Sequence, residues 1–160
     1  MHLAARPTDW AIQMPWPRPP LSLNDRSDRR ERASLTRMVR NDTNVLARAA
    51  RLPELDRVTL GLIWYPGDNK VTDADNISPT LKAAIDGLRD AKILVDDNGR
   101  HVLTTWQRVV ARRDDPFASN RPRVLLVVHD ATGDNLLQHY PPAHTGSLVS
   151  SSFGPGCGGG

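Results

Sequence analysis

The run Arg123–His129 (RVLLVVH) is the feature that most constrains this chain. It is almost continuously apolar and rich in Val and Leu, so it reads as a central strand. Val58–Tyr65 (VTLGLIWY) is β-branched and aromatic and reads as a second, largely buried strand. Such strands need helices packed on them, and two stretches supply the pattern. Arg32–Arg51 places Leu35, Met38, Val39, Val45, Leu46 and Ala49 mostly three and four residues apart. Ser78-Pro79 reads as an N-cap with Pro at the first helical position. From there Leu81, Ala84, Ile85 and Leu88 share one face of a helix ending near Ala91. Thr8–Met14 alternates weakly and His101–Arg113 alternates through Val102, Thr104, Trp106 and Arg108, which adds a first strand and a long later one. The expected order is β-α-β-α-β-β, an α+β fold with a mixed sheet and helices packed on it.

The 160 residues suit one domain over 1–130, followed by a Ser/Gly/Pro-rich tail over 131–160 that reads as a flexible segment. No apolar run approaches 18 residues, so no membrane helix is expected. The N-terminus has no apolar stretch of signal-peptide length, so the expected location is the cytoplasm, with no membrane partner. Cys157 is the single cysteine, which excludes a disulfide framework and a cysteine zinc site. The five histidines (2, 101, 129, 139 and 144) lack the spacing of a helix-borne zinc site.

Charge is unevenly spread. The 21 cations comprise 18 Arg and three Lys, and Arg offers a planar fork suited to phosphate. Residues 1–51 carry net +5, residues 52–98 net −4 and residues 99–160 net +2. An acidic middle between basic flanks suits a polyanion gripped by the flanks while the acids hold a cation.

The densest chemistry lies between Asp68 and Asp97. Asp73 and Asp75 flank Ala74, and in extended backbone residues i and i+2 point the same way, so two carboxylates can meet one hard cation. Asp96-Asp97 follows one helix later. If the chain returns Asp97 to Asp73 and Asp75, the mutual repulsion calls for a metal, and all-oxygen ligands favour Mg²⁺ or Mn²⁺. A metal so held binds a scissile phosphate and activates water. Lys82 is placed to neutralise phosphate charge. The competing reading is a polar loop before a helix cap and a solvated turn after it. An EF-hand loop starting at Asp73 fails, because Ser78 stands where Gly is needed and no Glu closes the loop.

DADN (73–76), KAAIDGL (82–88) and VDDN (95–98), preceded by PRPPLSLND (17–25), resemble in order the motifs of the RusA family of Holliday-junction resolvases. The resemblance spans roughly Ile12 to Asp130. It implies a Mg²⁺-dependent crossover junction endodeoxyribonuclease, a homodimer that nicks four-way DNA junctions symmetrically in recombination and repair, in a bacterium or a phage-infected host. It implies Asp73, Asp75 and Asp97 as metal carboxylates tuned by Asp96, Lys82 as the phosphate partner, and Asn24 and Asn76 at the DNA. ISPTL separates Asn76 from Lys82, a longer spacing than in short-spaced members.

Arg26, Arg29, Arg30 and Arg32, with Arg37 and Arg40 beyond them, are expected to track phosphates along the arms. Trp64 and Trp106 read as core residues, and Trp16, set among prolines, as packing or a base-stacking wedge. Two alternatives stay open: a metal nuclease preferring flapped or branched ends, and a DNA-binding dimer that holds junctions without cutting.

Overall fold

The computed structural model describes residues 8–70 and 72–134. The expected tail lies outside them, Cys157 included, save for its first four residues. Strand β2 (Val58–Tyr65) pairs in parallel with β3 (Val102–Val109) and antiparallel with β4 (Arg123–Asp130). β4 also takes β1 (Asp9–Gln13) antiparallel, giving the spatial order β1-β4-β2-β3. The molecule is therefore α+β, with a mixed four-stranded sheet and two helices, α1 (Arg29–Ala49) and α2 (Ser78–Asp90).

The register explains which face is covered. Leu60 stands opposite Val128 and Leu62 opposite Leu126, so these four side chains share a face. All four are fully buried and belong to the core that includes Val39, Leu81, Ala84 and Leu88 of the helices. On the other face Ile63, Leu125, Val127 and Trp106 are only half-buried, and no described helix packs there. Gly61 leaves the space that the Trp106 ring fills. At one corner of this face Arg123 donates two 2.8 Å hydrogen bonds to buried Asp115 while its guanidinium stacks 3.8 Å from the Tyr65 ring centre.

Helix α1 begins three residues earlier than its apolar spacing indicates, because Asp28 caps it. The Asp28 carboxylate accepts the N–H groups of Arg30 and Glu31, both at 2.8 Å. The poor helix formers of Asn41–Asn44 stay helical because Val39, Thr43 and Ala47 are completely buried. Burial outweighs intrinsic propensity there. Where the helices meet, Gly87 permits close approach: a Cβ on it would sit 2.5 Å from the Arg40 carbonyl oxygen. A 2.7 Å ion pair, Arg40 to Asp90, clamps the same contact.

β3 stops at Val109, short of the expected Arg113, because the loops claim its continuation. The Arg112 N–H bonds to the Asp68 carbonyl at 2.8 Å and the Arg113 N–H to the Asn69 side chain at 2.9 Å. Trp16 is buried with its indole N–H donated to Asp42 at 2.9 Å, so it is packing and not a wedge. No helix among the described residues is long and apolar enough to cross a membrane.

Parallel strands cannot be joined by a hairpin, so the chain must cross over, and α2 is the crossover. It starts from the side of the sheet where β2 ends and finishes where β2 and β3 begin. There the Leu55 N–H bonds to the Ile93 carbonyl and the Val58 N–H to the His101 carbonyl, both at 2.8 Å.

Candidate active site

The acidic turn follows the C-terminal end of β2. Asp73 caps a short 3-10 turn, Ala74–Ile77, its carboxylate accepting the Asp75 N–H at 3.1 Å. Ile77 is buried and anchors the turn, which leaves Asp73 and Asp75 exposed as neighbours. The proline-rich segment is bonded to this turn and to the first turn of α2. The Leu23 N–H reaches the Asn76 carbonyl at 2.9 Å. The Asn24 side-chain amide donates to the Asn76 side-chain carbonyl at 3.1 Å. Buried Thr80 uses its hydroxyl twice, accepting the Leu21 N–H at 2.9 Å and donating to the Leu21 carbonyl at 2.8 Å.

These contacts border an open cavity of about 350 Å³ lined by Arg18, Ser22, Asn24, Trp64, Thr72 and Asn76 among others. Trp64 donates its indole N–H to the Pro17 carbonyl at 3.1 Å, which fixes the ring. Apolar spacing alone does not single out Trp64 or Arg18. The available signals are that Trp64 stands at the end of a strand just before the Pro66-Gly67 turn, and that Arg18 interrupts a proline run.

Asp96 and Asp97 lie elsewhere. They follow the C-terminal end of α2, whereas Asp73 and Asp75 precede its start. Thirteen residues of helix separate the two pairs, about 20 Å at 1.5 Å per residue. Asp97 pairs with Arg89 at 3.2 Å, and Arg89 also lies 3.9 Å from Asp86. Asp96 accepts the Asp97 N–H at 2.8 Å and the Asn98 amide. The Asp97 N–H, more than any other group, holds the Asp96 carboxyl below the usual carboxylate range. Within a single chain the structure thus places Asp96 and Asp97 at the far end of α2 from Asp73 and Asp75 and does not bring the four together. The parallel crossover puts the two ends of α2 at opposite ends of the sheet. Among the described residues no three His, Cys, Asp or Glu side chains form a metal-holding group.

Lys82 is exposed and lines a shallow hollow between α2 and β3 with Thr105 and Gln107, separate from the Asn24–Asn76 cavity. Arg26, Arg29, Arg30 and Arg32 are all exposed. They begin one residue after Asp25, which lines the cavity, and run into the first turn of α1.

The 3-10 turn that begins at Ala74 replaces the extended backbone that would aim Asp73 and Asp75 the same way. Mg²⁺ keeps several waters and needs only one or two protein carboxylates. Asp73 and Asp75, both exposed, are the carboxylates present for such an ion, with one Asp73 oxygen engaged by a backbone N–H. The chain matches no protein-family model and no curated protein.

Proposed function

We propose that this chain is a divalent-metal-dependent endonuclease for branched DNA, with the four-way junction as its substrate. The observation that carries the reading is the hydrogen bond from Asn24 to Asn76. It joins two motif segments 52 residues apart, and it does so beside the Asp73–Asp75 pair. A chance likeness in scattered letters gives no reason for those letters to meet in space.

In this reading Asp73 and Asp75 hold Mg²⁺ or Mn²⁺, which when bound supplies positive charge to a scissile phosphate. Asn24 and Asn76 shape the adjoining cavity and meet the DNA strand. Arg26, Arg29, Arg30 and Arg32 carry the flanking phosphates, and this contact orients the duplex without reading sequence. Lys82, on the α2 surface facing β3, meets a phosphate further along the strand. The protein works as a homodimer, because a junction with near two-fold symmetry is cut in two strands by two sites related by a dyad. The half-buried sheet face bearing Ile63, Trp106, Leu125 and Val127 supports a place for the second copy.

One observation favours a second reading. Asp96 and Asp97 follow the far end of the 13-residue helix α2 from Asp73 and Asp75, so one chain lacks a third carboxylate beside that pair. A dimer that binds junctions without cutting needs none. Labelled four-way, flapped and linear DNA, each incubated with Mg²⁺ or EDTA, separates these readings. Paired nicks in the four-way substrate with Mg²⁺ alone are the expected result. Cutting of flaps only moves the substrate to flapped ends, and retardation without cutting selects the binding dimer.

A further inference from the structure

We infer that the cavity between the proline-rich segment and the acidic turn holds one unstacked nucleobase of the bound strand. The inference rests on the DNA-directed reading above, though not on cutting. Its first support is hydrogen-bonding capacity. Asn24 and Asn76 satisfy one another with a single bond, 3.1 Å long. Whichever way the two amides are turned, one carbonyl oxygen and three of the four amide N–H groups have no partner among the described residues. An adjacent donor and acceptor match the edge of a base, and Asn is a side chain that reads such edges with two bonds.

The second support is a flat surface held still. Trp64 lines the cavity, and its 3.1 Å bond to the Pro17 carbonyl fixes the indole. Bases stack on such rings whatever their identity, because every base has a π face. Pro19 and Pro20 supply rigid walls from the other segment.

The third support is charge. Asp25 lines the same cavity. Its carboxylate repels a phosphate but accepts hydrogen bonds from a neutral base that carries an amino group. Arg18, also in the lining, is the group suited to the phosphate attached to that base. The volume of about 350 Å³ falls at the small end of ligand cavities, which begin near about 300 Å³.

The test measures affinity in EDTA for four-way junctions in which single nucleotides around the branch are replaced in turn by abasic residues. The full chain is used. One position is expected to weaken binding about tenfold, the loss of one stacked base. Asn24→Ala, at an exposed position, is expected to shrink that difference while circular dichroism stays unchanged, and Trp64→Leu to remove it. Equal affinity for intact and abasic junctions overturns the inference, as does full discrimination retained in both variants. Discrimination without Mg²⁺-dependent cutting upholds base capture and defeats the nuclease reading. Cutting without discrimination does the reverse, and absence of DNA binding defeats both.

Discussion

Arg89 holds Asp97 at 3.2 Å at the end of α2 remote from Asp73 and Asp75. Its guanidinium compensates the Asp97 charge without a metal. Within one chain Asp97 therefore stands paired with Arg89 at the other end of the helix from those two carboxylates. Mn²⁺ binding, followed by electron paramagnetic resonance, is expected to be lost in Asp75→Asn and unchanged in Asp97→Asn. Equal loss in both variants would mean that Asp97 reaches the ion, and a second copy would have to supply it.

Arg26, Arg29, Arg30 and Arg32 are exposed and lead away from the cavity, so their contribution to DNA binding is electrostatic. Each phosphate neutralised contributes about 0.9 to the slope of log affinity against log salt concentration. Arg29→Ala combined with Arg30→Ala is expected to lower that slope by about 2. An unchanged slope in a salt titration would remove these residues from the interface.

The helix crossing has no spare room at Gly87, where a Cβ would lie 2.5 Å from the Arg40 carbonyl oxygen and 2.8 Å from the Thr43 Cβ. Gly87→Ala is expected to push the helices apart and cost about 1–3 kcal/mol, the range for overpacking. Urea unfolding gives the number, as a lower midpoint with an unchanged slope. The same substitution in an exposed helix would stabilise, so the sign decides the point.

Two acid–base contacts set the pH dependence of stability. The His129 imidazole lies 2.7 Å from Asp9 and 3.1 Å from Asp134, tying the start of β1 to the segment after β4. The hydrogen bond to Asp9 leads the groups that raise the His129 pKa above 6.5, while His129 lowers that of Asp9 below 3.8. The His129 contribution is complete below pH 6.5 and is lost as pH rises through the raised value. The Asp9 contribution is complete above pH 3.8 and is lost as pH falls through the lowered one. His129→Ala is thus expected to destabilise at pH 5.5 and much less at pH 9. Asp9 is 68% exposed, so the effect stays below about 1 kcal/mol. Asp115 behaves differently, with a side chain only 1% exposed and a pKa lowered to about 2 by Arg123. Its contribution persists at pH 4 and goes only as pH falls toward 2. Thermal melts of His129→Ala and Asp115→Asn across pH separate the two contacts.

Much of the architecture is written in local pattern. Val58–Tyr65 is a strand over the whole of its β-branched and aromatic run. α2 begins at Ser78, one residue before the Ser-Pro signal places it, because Ile77 and not Ser78 is the N-cap, and no side chain caps it. Apolar spacing misses the start of α1 by three residues, and the signal that marks it is Asp28 standing three residues before Glu31, the spacing of a capping signature. The pairing of β2 with β3 was not. Parallel or antiparallel partnership depends on how the intervening helix packs, and no local pattern encodes it. That one relationship decides the candidate site. It keeps Asp73, Asp75 and Asn76 with Asn24 and sends Asp96 and Asp97 to the other end of α2. Trp64 and Arg18 escaped because they join the cavity through the fold of the proline-rich segment, not through spacing.

The most direct measurement is the initial rate of nicking on a labelled four-way junction, with Mg²⁺ or EDTA, for the natural chain and for Asp75→Asn. The account predicts paired nicks that need Mg²⁺, a rate at least about a hundredfold lower in Asp75→Asn, a loss of about 2.7 kcal/mol of barrier lowering, and DNA affinity retained in both. Nicking that persists in Asp75→Asn, or tight junction binding with no nicking by the natural chain, would contradict it.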